Sequence, residues 1–316
     1  MSLEDIDVIQ EDSFTKRIQA DELTTLEFKQ TEPFYLTIKI DYRHNEVVIE
    51  FTGKVLLSNY HQLIRLSNIS MCIENINRLG IFYIKSYMSA DVVVCDITND
   101  YNYCNVRELA EHIENNLSSY KKYIPETLPN GNFTIKKNVT TKQCKKRLTI
   151  YDKGKEMYKS ENRSFLEDYY NDVNPFSGKC RFELNLNSQA QIRSSLHISD
   201  TSLKSVLLAA QSVNPILEFL SDILSEDISV DSNGISNVEE LKKYALLVLC
   251  DMDIRKVRSM LERYKAKGTK MRAMIKPYKE LLAKMSDVKS NLTRETILNL
   301  VKTTTQITPK MILNCI

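Results

Sequence analysis

Three segments of the sequence combine an apolar, β-rich run with acidic, basic or phenolic side chains. They are residues 91–100 (DVVVCDITND), residues 148–157 (LTIYDKGKEM) and residues 180–186 (CRFELNL). Short runs rich in β-branched and aromatic residues are typical of strands. Alternate side chains of a strand share one face, so Arg181 and Glu183 point the same way.

The polar side chains of these segments are of types that can act on phosphodiesters. They are Asp96, Tyr151, Asp152, Lys153, Glu156, Arg181 and Glu183. Carboxylates on a sheet supply hard oxygen ligands for Mg²⁺ or Mn²⁺, and such a metal neutralises charge when a phosphodiester is attacked. A nearby tyrosine is a competent nucleophile, because its phenol can form a covalent phosphotyrosine that stores the bond energy for rejoining. A lysine two residues from that tyrosine can lower the phenol pKa or hold the phosphate.

Each of these residues also has a structural interpretation. Tyrosines in strands most often contribute to packing, and Asp96 can simply end its strand. Arg181 and Glu183 can form ion pairs with neighbouring residues, and Glu156 can be a solvated helix residue. Residue types and spacing alone leave both interpretations open.

The sequence lacks the motifs of several other enzyme classes. It contains no P-loop and no GxGxxG, which removes support for nucleotide-driven and dinucleotide chemistry. Its four histidines, at positions 44, 61, 112 and 197, form no H-x-H or HExxH pair, so a local histidine-pair metal site is not expected. No GxSxG motif supports a Ser-His-Asp hydrolase.

The elements that must position these segments alternate between paired strands and helices. Residues 34–41 and 46–55 predict a hairpin, and residues 132–224 continue with strands and helices. This alternation predicts an α+β fold with an antiparallel sheet, and its recurrence in outline suggests two related halves.

Composition and periodicity divide the chain into four parts. Residues 1–33 show no clear period and predict an N-terminal arm or an edge strand. Residues 34–225 form the predicted α+β catalytic domain, and residues 226–237, rich in turn formers, form a linker. Residues 238–316 predict a small all-helical basic module, because helical periodicity with cap-like residues runs through most of them.

The net charge of +2 hides two basic blocks on an acidic body. Residues 255–294 carry 13 Lys and Arg against three acidic residues, and residues 134–163 carry ten against three, so the rest of the chain sums to −15. This distribution is typical of a protein that binds a polyanion, here expected to be DNA, although Lys-rich helix faces alone could explain the C-terminal block. The predicted DNA-binding residues are Lys136, Lys137, Lys142, Lys145, Lys146, Arg147, Arg255, Lys256, Arg258, Arg263, Lys267, Lys270 and Arg272.

The overall composition is that of an ordinary soluble protein, with 42% hydrophobic and 27% charged residues. The seven cysteines are scattered and form no CxxC pair, which fits free thiols in a reducing compartment. The acidic, polar start resembles neither a secretory signal nor a transit peptide, and no apolar run approaches the ~18 residues of a membrane span. We therefore expect a cytoplasmic protein without membrane contact.

Taken in order, the three segments resemble the replication initiators of filamentous phages, the gene II type, and related phage and plasmid rolling-circle initiators. The matching features are the strand that bears Asp96, the Tyr-x-Lys-x-x-Glu core of LTIYDKGKEM and the Arg-Phe-Glu of CRFELNLNSQAQIR. The hairpin EVVIEFTGKVL is similar in placement, so the resemblance covers about residues 45–200, half of the chain. It implies a Rep-like catalytic domain followed by the basic helical module.

The resemblance implies a metal-dependent single-strand DNA endonuclease that also joins DNA. Tyr151 would attack one strand at the origin, become attached to the 5′ phosphate and free a 3′-OH that primes synthesis. The reverse reaction would later release a circular strand. The implied roles are Mg²⁺ or Mn²⁺ ligation by Asp96 and Glu183, ligation or proton acceptance by Glu156, and phosphate binding by Lys153 and Arg181.

Several features depart from the family pattern. Relatives often carry an arginine two residues before the metal-binding aspartate, where this chain has Val94, and Cys95 directly precedes Asp96. Asp152 follows the tyrosine and is a further candidate metal ligand, which leaves the acidic set open. A second catalytic tyrosine is not obvious, so the completion of strand release is also open. Candidates near Tyr151 in sequence are Tyr158, Tyr169 and Tyr170.

The leading expectation is therefore a rolling-circle replication initiator. The expected partners are duplex and single-stranded origin DNA, with a host helicase, a host polymerase and a second copy of the chain as further candidates. A mobilisation relaxase would use the same chemistry for DNA transfer. A non-catalytic DNA-binding regulator would bind DNA without cleaving it, and an RNA-binding or scaffold protein is suggested only by charge and tyrosine content.

Overall fold

The computed structural model describes residues 1–19, 22–103, 105–117, 122–138, 146–224, 237–250, 253–263, 268–286, 294–302 and 307–314. The chain divides into two compact units. The larger unit contains Met1–Ala110, Ser119–Ile223 and Leu298–Ile316, and the smaller unit contains Glu111–Ser118 and Leu224–Ile297.

All of the strands in the described residues belong to the larger unit. They are β1 (Ile6–Val8), β2 (Thr15–Gln19), β3 (Glu22–Gln30), β4 (Leu36–Asp41), β5 (Glu46–Phe51), β6 (Phe82–Ile84), β7 (Asp91–Tyr101), β8 (Tyr123–Thr127), β9 (Phe133–Lys137), β10 (Arg147–Asp152), β11 (Cys180–Leu186) and β12 (Ile307–Asn314). Ten of them form one antiparallel sheet in the order β2-β3-β4-β5-β12-β7-β11-β10-β9-β8, and β1 pairs separately with β6.

The α-helices of the described residues flank this sheet or form the smaller unit. They are α1 (Ile69–Asn77), α2 (Val106–Asn115), α3 (Lys153–Met157), α4 (Ser160–Tyr170), α5 (Gln189–Leu196), α6 (Leu203–Ala209), α7 (Pro215–Ile223), α8 (Val238–Leu249), α9 (Ile254–Arg263), α10 (Gly268–Ser286) and α11 (Arg294–Lys302). A 3-10 helical segment covers Gly53–Gln62. The helices α8, α9 and α10 surround a small apolar core of Leu247, Val257 and Leu281 in the smaller unit.

The central strands bury one face because their apolar residues alternate with polar ones. On β11, Phe182, Leu184 and Leu186 are fully buried, and on β10 Leu148 and Ile150 are fully buried. Helices α5, α6 and α7 pack on β7 and β11. The intervening polar residues therefore lie together on the opposite face of the sheet.

The prediction of an α+β fold with an antiparallel sheet is confirmed. The predicted hairpin is also present, since β4 pairs with β5 from Leu36↔Phe51 to Asp41↔Glu46. Within the described residues, every helix falls short of the length or the hydropathy that a bilayer-spanning helix needs. Residues 225–236, which hold nearly all of the predicted linker, lie outside the described residues.

The expectation of a separate N-terminal arm over residues 1–33 is wrong. β3 pairs with β4, and β2 pairs with β3 at the edge of the sheet, as the alternative prediction of an edge strand anticipated. Leu26 is fully buried, and Phe14 packs against Phe28 with ring centroids 5.8 Å apart. The apolar residues of β3 are irregularly spaced, so its strand period is weak in the sequence.

The predicted boundary of the helical module also differs from the structure. Residues 307–314 form β12, which lies between β5 and β7 and pairs antiparallel with both. The end of the chain therefore completes the sheet of the larger unit and does not continue the helical module. A strand whose partners lie more than 200 residues earlier in the chain leaves no local signal of its place in a sheet.

A glycine in the first turn of α3 provides a test of the packing beside the polar face. A Cβ added at Gly154 would lie 2.9 Å from the backbone oxygen of Phe176 and 3.2 Å from Asp152 Oδ1. We expect Gly154→Ala to lower the free energy of unfolding by about 1–3 kcal/mol, because backbone must shift to admit the methyl group. Urea denaturation measures this change.

The exposed Lys155 lies in the same helix and provides the control. Lys155→Ala should change the free energy of unfolding by less than about 0.5 kcal/mol. A Gly154→Ala protein more stable than the wild type would show that the gain in helix propensity outweighs the crowding.

Candidate active site

The polar face of the three central strands brings together residues from all three sequence segments. β11 lies between β7 and β10, and directly opposite residues in an antiparallel sheet point to the same face. Three rows of side chains therefore cross the strands. The rows are Tyr151–Arg181–Asp100, Thr149–Glu183–Thr98 and Arg147–Asn185–Asp96.

A cavity of about 330 Å³ opens on this face. Its walls include the predicted site residues Asp96, Tyr151, Lys153, Glu156, Arg181 and Glu183. Thr31 and Tyr35, from the connection between β3 and β4, and residues of the 3-10 segment also line the cavity. Among them are Lys54 and Tyr60, which the sequence did not single out. The structure thus assembles all but one of the predicted catalytic and metal-binding residues around one cavity.

The phenol of Tyr151 donates a hydrogen bond of 2.7 Å to Glu183 Oε1. Tyr151 is 9% exposed. Burial raises the pKa of Tyr151 well above its usual value, and the negative charge of Glu183 raises it further. The phenol is therefore protonated at neutral pH, with a carboxylate placed to accept its proton.

Glu183 lies under opposing electrostatic influences. Burial raises its pKa, the positive charge of Arg181 lowers it, and the negative charge of Asp96 raises it. The result is a pKa above the usual value for a glutamate, which makes this carboxylate a stronger base.

Arg181 forms a buried ion pair at the centre of the sheet. Its side chain is 1% exposed, and its Nε and Nη2 donate to the two carboxylate oxygens of Asp100 at 2.6 and 2.7 Å. Its Nη1 donates to the Tyr60 hydroxyl at 2.8 Å, and its guanidinium lies over the Phe176 ring. Every nitrogen of the guanidinium is thus engaged by protein, which disagrees with the expected role of Arg181 in binding the scissile phosphate.

Lys153 is also committed to a protein partner. Its side chain is 3% exposed and forms an ion pair with Glu156. Its ammonium lies 5.8 Å from the centre of the Tyr151 ring. The pKa of Tyr151 is raised overall, because burial and the negative charge of Glu183 outweigh the positive charge of Arg181.

Asn162 holds the Glu156 side chain in addition to its contact with Lys153. Asn162 Nδ2 donates to Glu156 Oε1 at 2.7 Å, and Lys54 Nζ in turn donates to Asn162 Oδ1 at 2.6 Å. Burial favours the neutral carboxyl, but the positive charge of Lys153 and the hydrogen bonds from Lys153 and Asn162 lower the pKa of Glu156 overall. Glu156 is thus an ionised carboxylate with a fixed orientation.

Asp152 does not reach the cavity. It is the N-cap of α3, where its Oδ1 accepts from the backbone N–H of Lys155 at 2.9 Å. Its Oδ2 forms an ion pair of 3.3 Å with the Lys155 side chain. Strand alternation points Asp152 away from Tyr151, so the structure argues against the expected metal-ligand role of Asp152.

The carboxylates that remain at the cavity fit a divalent cation. Asp96 and Glu183 lie on adjacent strands and influence each other electrostatically, and Asn185 Nδ2 donates to Asp96 Oδ1. Among the described residues, no group of three or more His, Cys, Asp or Glu forms a metal cluster. Mg²⁺ commonly uses one or two carboxylates, with water and substrate phosphate as its other ligands, so this pair is a sufficient protein contribution.

Sequence motifs gave no indication of several residues at the site. Lys54 and Tyr60 come from the 3-10 segment, and Asn162 comes from α4. Tyr60 packs edge-on against Phe165 and contacts the Phe176 ring. No local signal marks these residues, because their importance comes only from tertiary contacts with residues of other segments.

The nearby tyrosines considered for strand release do not line the cavity. Tyr158 is 65% exposed. Tyr169 and Tyr170 pack against Phe165, and Tyr170 also bonds to His61. Burial raises the pKa of Tyr170 to about 12.

The predicted basic residues of the larger unit have mixed surroundings. Lys136 forms an ion pair with Glu126 and lies opposite Arg147 across β9 and β10. Lys146 donates to Ser195 Oγ at 3.0 Å, and burial lowers its pKa. Lys137 is exposed at the end of β9. The predicted residues Lys142, Lys145 and Lys267 lie outside the described part of the chain.

The basic residues of the smaller unit line a groove of about 650 Å³ between α9 and α10. Arg255 and Arg258 line it from α9, and the apolar residues at its base include Ile254, Met271 and Ile275. The cations from α10 are spaced three or four residues apart, so they follow one helix face. They are Arg272, Lys276 and Lys279. The predicted residues Lys256, Arg263 and Lys270 are exposed elsewhere on these helices.

The chain matches no protein-family model, no curated protein and no solved structure at a significant level. The resemblance to the phage initiators therefore depends on the three sequence segments.

The ion pair of Arg181 and Asp100 should contribute strongly to stability. We expect Asp100→Asn to lower the free energy of unfolding by about 3–5 kcal/mol, because it leaves a buried guanidinium without its charged partner. Glu167→Gln, which removes an exposed pair with Arg163, should cost less than about 1 kcal/mol. If Asp100→Asn and Glu167→Gln lowered the free energy of unfolding equally in urea denaturation, the stabilising role of the Arg181–Asp100 ion pair would be contradicted.

The charge of Glu183 should be measurable at Tyr151. We expect Glu183→Gln to lower the pKa of Tyr151 towards its usual value, because the substitution removes the negative charge that opposes phenolate formation. Carbon-13 NMR titration of labelled tyrosine rings measures this pKa, and Tyr151→Phe identifies the signal. An unchanged pKa would show that burial alone causes the shift.

Proposed function

We propose that this chain is a metal-dependent single-strand DNA endonuclease and strand transferase with a Rep-like catalytic domain, which initiates rolling-circle replication through Tyr151. The observation that supports this proposal most directly is the 2.7 Å hydrogen bond from the Tyr151 phenol to Glu183, inside a cavity that also contains Asp96. A nucleophile, a base and a second carboxylate thus occur together, as attack on a phosphodiester requires.

The first step is attack of the Tyr151 oxygen on the phosphorus of one strand. Glu183 accepts the phenol proton, the bond from phosphorus to the 3′ oxygen breaks, and that oxygen takes a proton from water. The products are a 5′-phosphotyrosine and a free 3′-OH. The raised pKa of Tyr151 makes a base necessary, and the raised pKa of Glu183 suits it to that role.

Rejoining is the reverse of this reaction. A 3′-OH gives its proton to water and attacks the phosphotyrosine, the bond from phosphorus to the Tyr151 oxygen breaks, and the phenol regains the proton held by Glu183. Because both directions exchange one phosphodiester for another, no external energy source is needed. This agrees with the absence of a P-loop from the sequence.

Asp96 and Glu183 are the residues that would hold Mg²⁺ or Mn²⁺. The bound cation would neutralise charge on the phosphate oxygens. The phenol contacts Oε1 of Glu183, so the carboxylate offers its second oxygen for ligation. Glu156 orients Lys153 and Asn162, which favours a supporting role for Glu156 over direct ligation.

The smaller unit would bind DNA through the groove between α9 and α10. Its cations lie along two helices and suit a phosphate backbone, and the affinity should fall steeply with salt. A mobilisation relaxase would use the same site and the same groove. A relaxase and a replication initiator differ in the DNA sequence at which they cut the strand.

A DNA-binding regulator without catalysis is the second candidate. The low exposure and the raised pKa of Tyr151 favour it, since both oppose attack by the phenol. This candidate requires DNA binding that is independent of Tyr151 and of any metal ion.

We expect the protein to nick a supercoiled plasmid that contains its own gene with the flanking DNA, in the presence of Mg²⁺ or Mn²⁺. The product should be an open circle with protein bound to the 5′ end, visible as a mobility shift that protease removes. Tyr151→Phe should reduce nicking by at least about a thousandfold, because it removes the nucleophile. Chelation of the metal should also abolish nicking.

Tyr158→Phe is the matched control, since this tyrosine is exposed and outside the cavity. It should nick at the wild-type rate. Nicking that persists in Tyr151→Phe would move the nucleophile to another tyrosine, with Tyr35 and Tyr60 the candidates in the same cavity. DNA binding without nicking under either metal would support the regulator.

A further inference from the structure

Lys54 differs from the other two cations of the cavity. Lys153 is paired with Glu156, and Arg181 is paired with Asp100. Within the described residues, the Lys54 ammonium has no carboxylate oxygen within ion-pair distance, and its protein partner is the neutral side-chain oxygen of Asn162 at 2.6 Å. Its positive charge is therefore the one in this cavity that lacks an anionic partner among those residues.

Two hydroxyl groups of the same cavity lack hydrogen-bond partners among the described residues. They belong to Thr52 and Thr98, and both oxygens are buried. Thr98 is fully buried beside Glu183 in the central row of the polar face. Buried hydroxyls without partners are costly, so their presence beside an unpaired cation indicates a ligand with oxygen acceptors.

We propose that Lys54, together with the hydroxyls of Thr52 and Thr98, binds the phosphate of the DNA strand that Tyr151 attacks. The ligand is a phosphodiester of single-stranded DNA, whose non-bridging oxygens accept from the ammonium and the hydroxyls. This inference rests on the proposed function for the identity of the phosphate. It assigns direct binding of the DNA phosphate to Lys54, and no longer to Arg181 and Lys153.

The surroundings of Lys54 favour an anion. Burial and the positive charge of Lys153 lower the pKa of Lys54 by more than the negative charges of Glu156, Glu161 and Glu32 raise it. A phosphate in the cavity would offset both effects, because its negative charge stabilises the ammonium. The ammonium of Lys54 also makes a cation–π contact, 4.9 Å from the centre of the Phe165 ring.

Binding and turnover are measured with Lys54→Met and Lys54→Arg. In the Tyr151→Phe background, the probe is a short fluorescent single-stranded oligonucleotide of random sequence, titrated at several salt concentrations. We expect Lys54→Met to weaken binding by about tenfold and to reduce the slope of log K against log salt by about 0.7, the value for one lost phosphate contact. Lys54→Arg should restore most of the affinity.

Nicking of the plasmid provides the second measurement. We expect Lys54→Met to raise KM by about tenfold, with a smaller change in kcat, because it removes a binding contact. Lys39→Met is the matched control, since Lys39 is exposed on β4 and outside the cavity. It should leave KM, affinity and salt slope unchanged.

Thr98→Val separates binding from folding. Loss of an unpartnered buried hydroxyl should leave Tm equal or higher, whereas oligonucleotide binding should weaken. A variant that is stable but binds less tightly cannot be explained by misfolding.

The outcomes distinguish this inference from the proposed function. If the wild type does not nick but oligonucleotide binding depends on Lys54, the phosphate site is supported and the catalytic proposal fails. If the wild type nicks and Lys54→Met keeps the wild-type KM, affinity and salt slope, the inference about Lys54 is overturned. Absence of both nicking and oligonucleotide binding overturns the two together.

Discussion

The buried ion pair between Arg181 and Asp100 is the constraint on which the rest of the site depends. A guanidinium this deeply buried is stable only with a charged partner and with further hydrogen bonds. The antiparallel register of β7 and β11 places Asp100 directly opposite, and Tyr60 from the 3-10 segment accepts the remaining bond. Arg181 thereby connects β11, which carries Glu183, with β7, which carries Asp96, and attaches the 3-10 segment to both strands.

This arrangement determines the electrostatics of Tyr151 and Glu183. Arg181 lies opposite Tyr151 and on the same strand as Glu183, and it lowers the pKa of both, while burial raises both. The negative charge of Glu183 raises the pKa of Tyr151, whereas the hydrogen bond from Tyr151 lowers the pKa of Glu183. The balance keeps a proton on the phenol and leaves a basic carboxylate 2.7 Å away.

The cations of the cavity and those of the smaller unit are held in different ways. In the cavity, Lys153 and Arg181 are buried and form ion pairs with Glu156 and Asp100, which stabilise the site. These carboxylates largely neutralise the two positive charges. In the smaller unit, Arg258 pairs with the exposed Glu262, and its neighbours line an open groove. Exposed pairs of this type are weak, which leaves such cations available to a polyanion.

The sequence by itself determined the features that depend on local periodicity. The strands β7, β10 and β11, the hairpin of β4 and β5, and the shared face of Arg181 and Glu183 follow from two-residue alternation, which is readable within a few residues. The register of β10 and β11 adds Tyr151 to that face. Only the tertiary structure decided the partners of those residues. The pairing of Arg181 with Asp100, the capping role of Asp152, the approach of Lys54 and Tyr60, and the place of β12 in the sheet all depend on contacts between distant segments. Such contacts are set by strand order and packing, and neither leaves a periodic signal in the residues concerned.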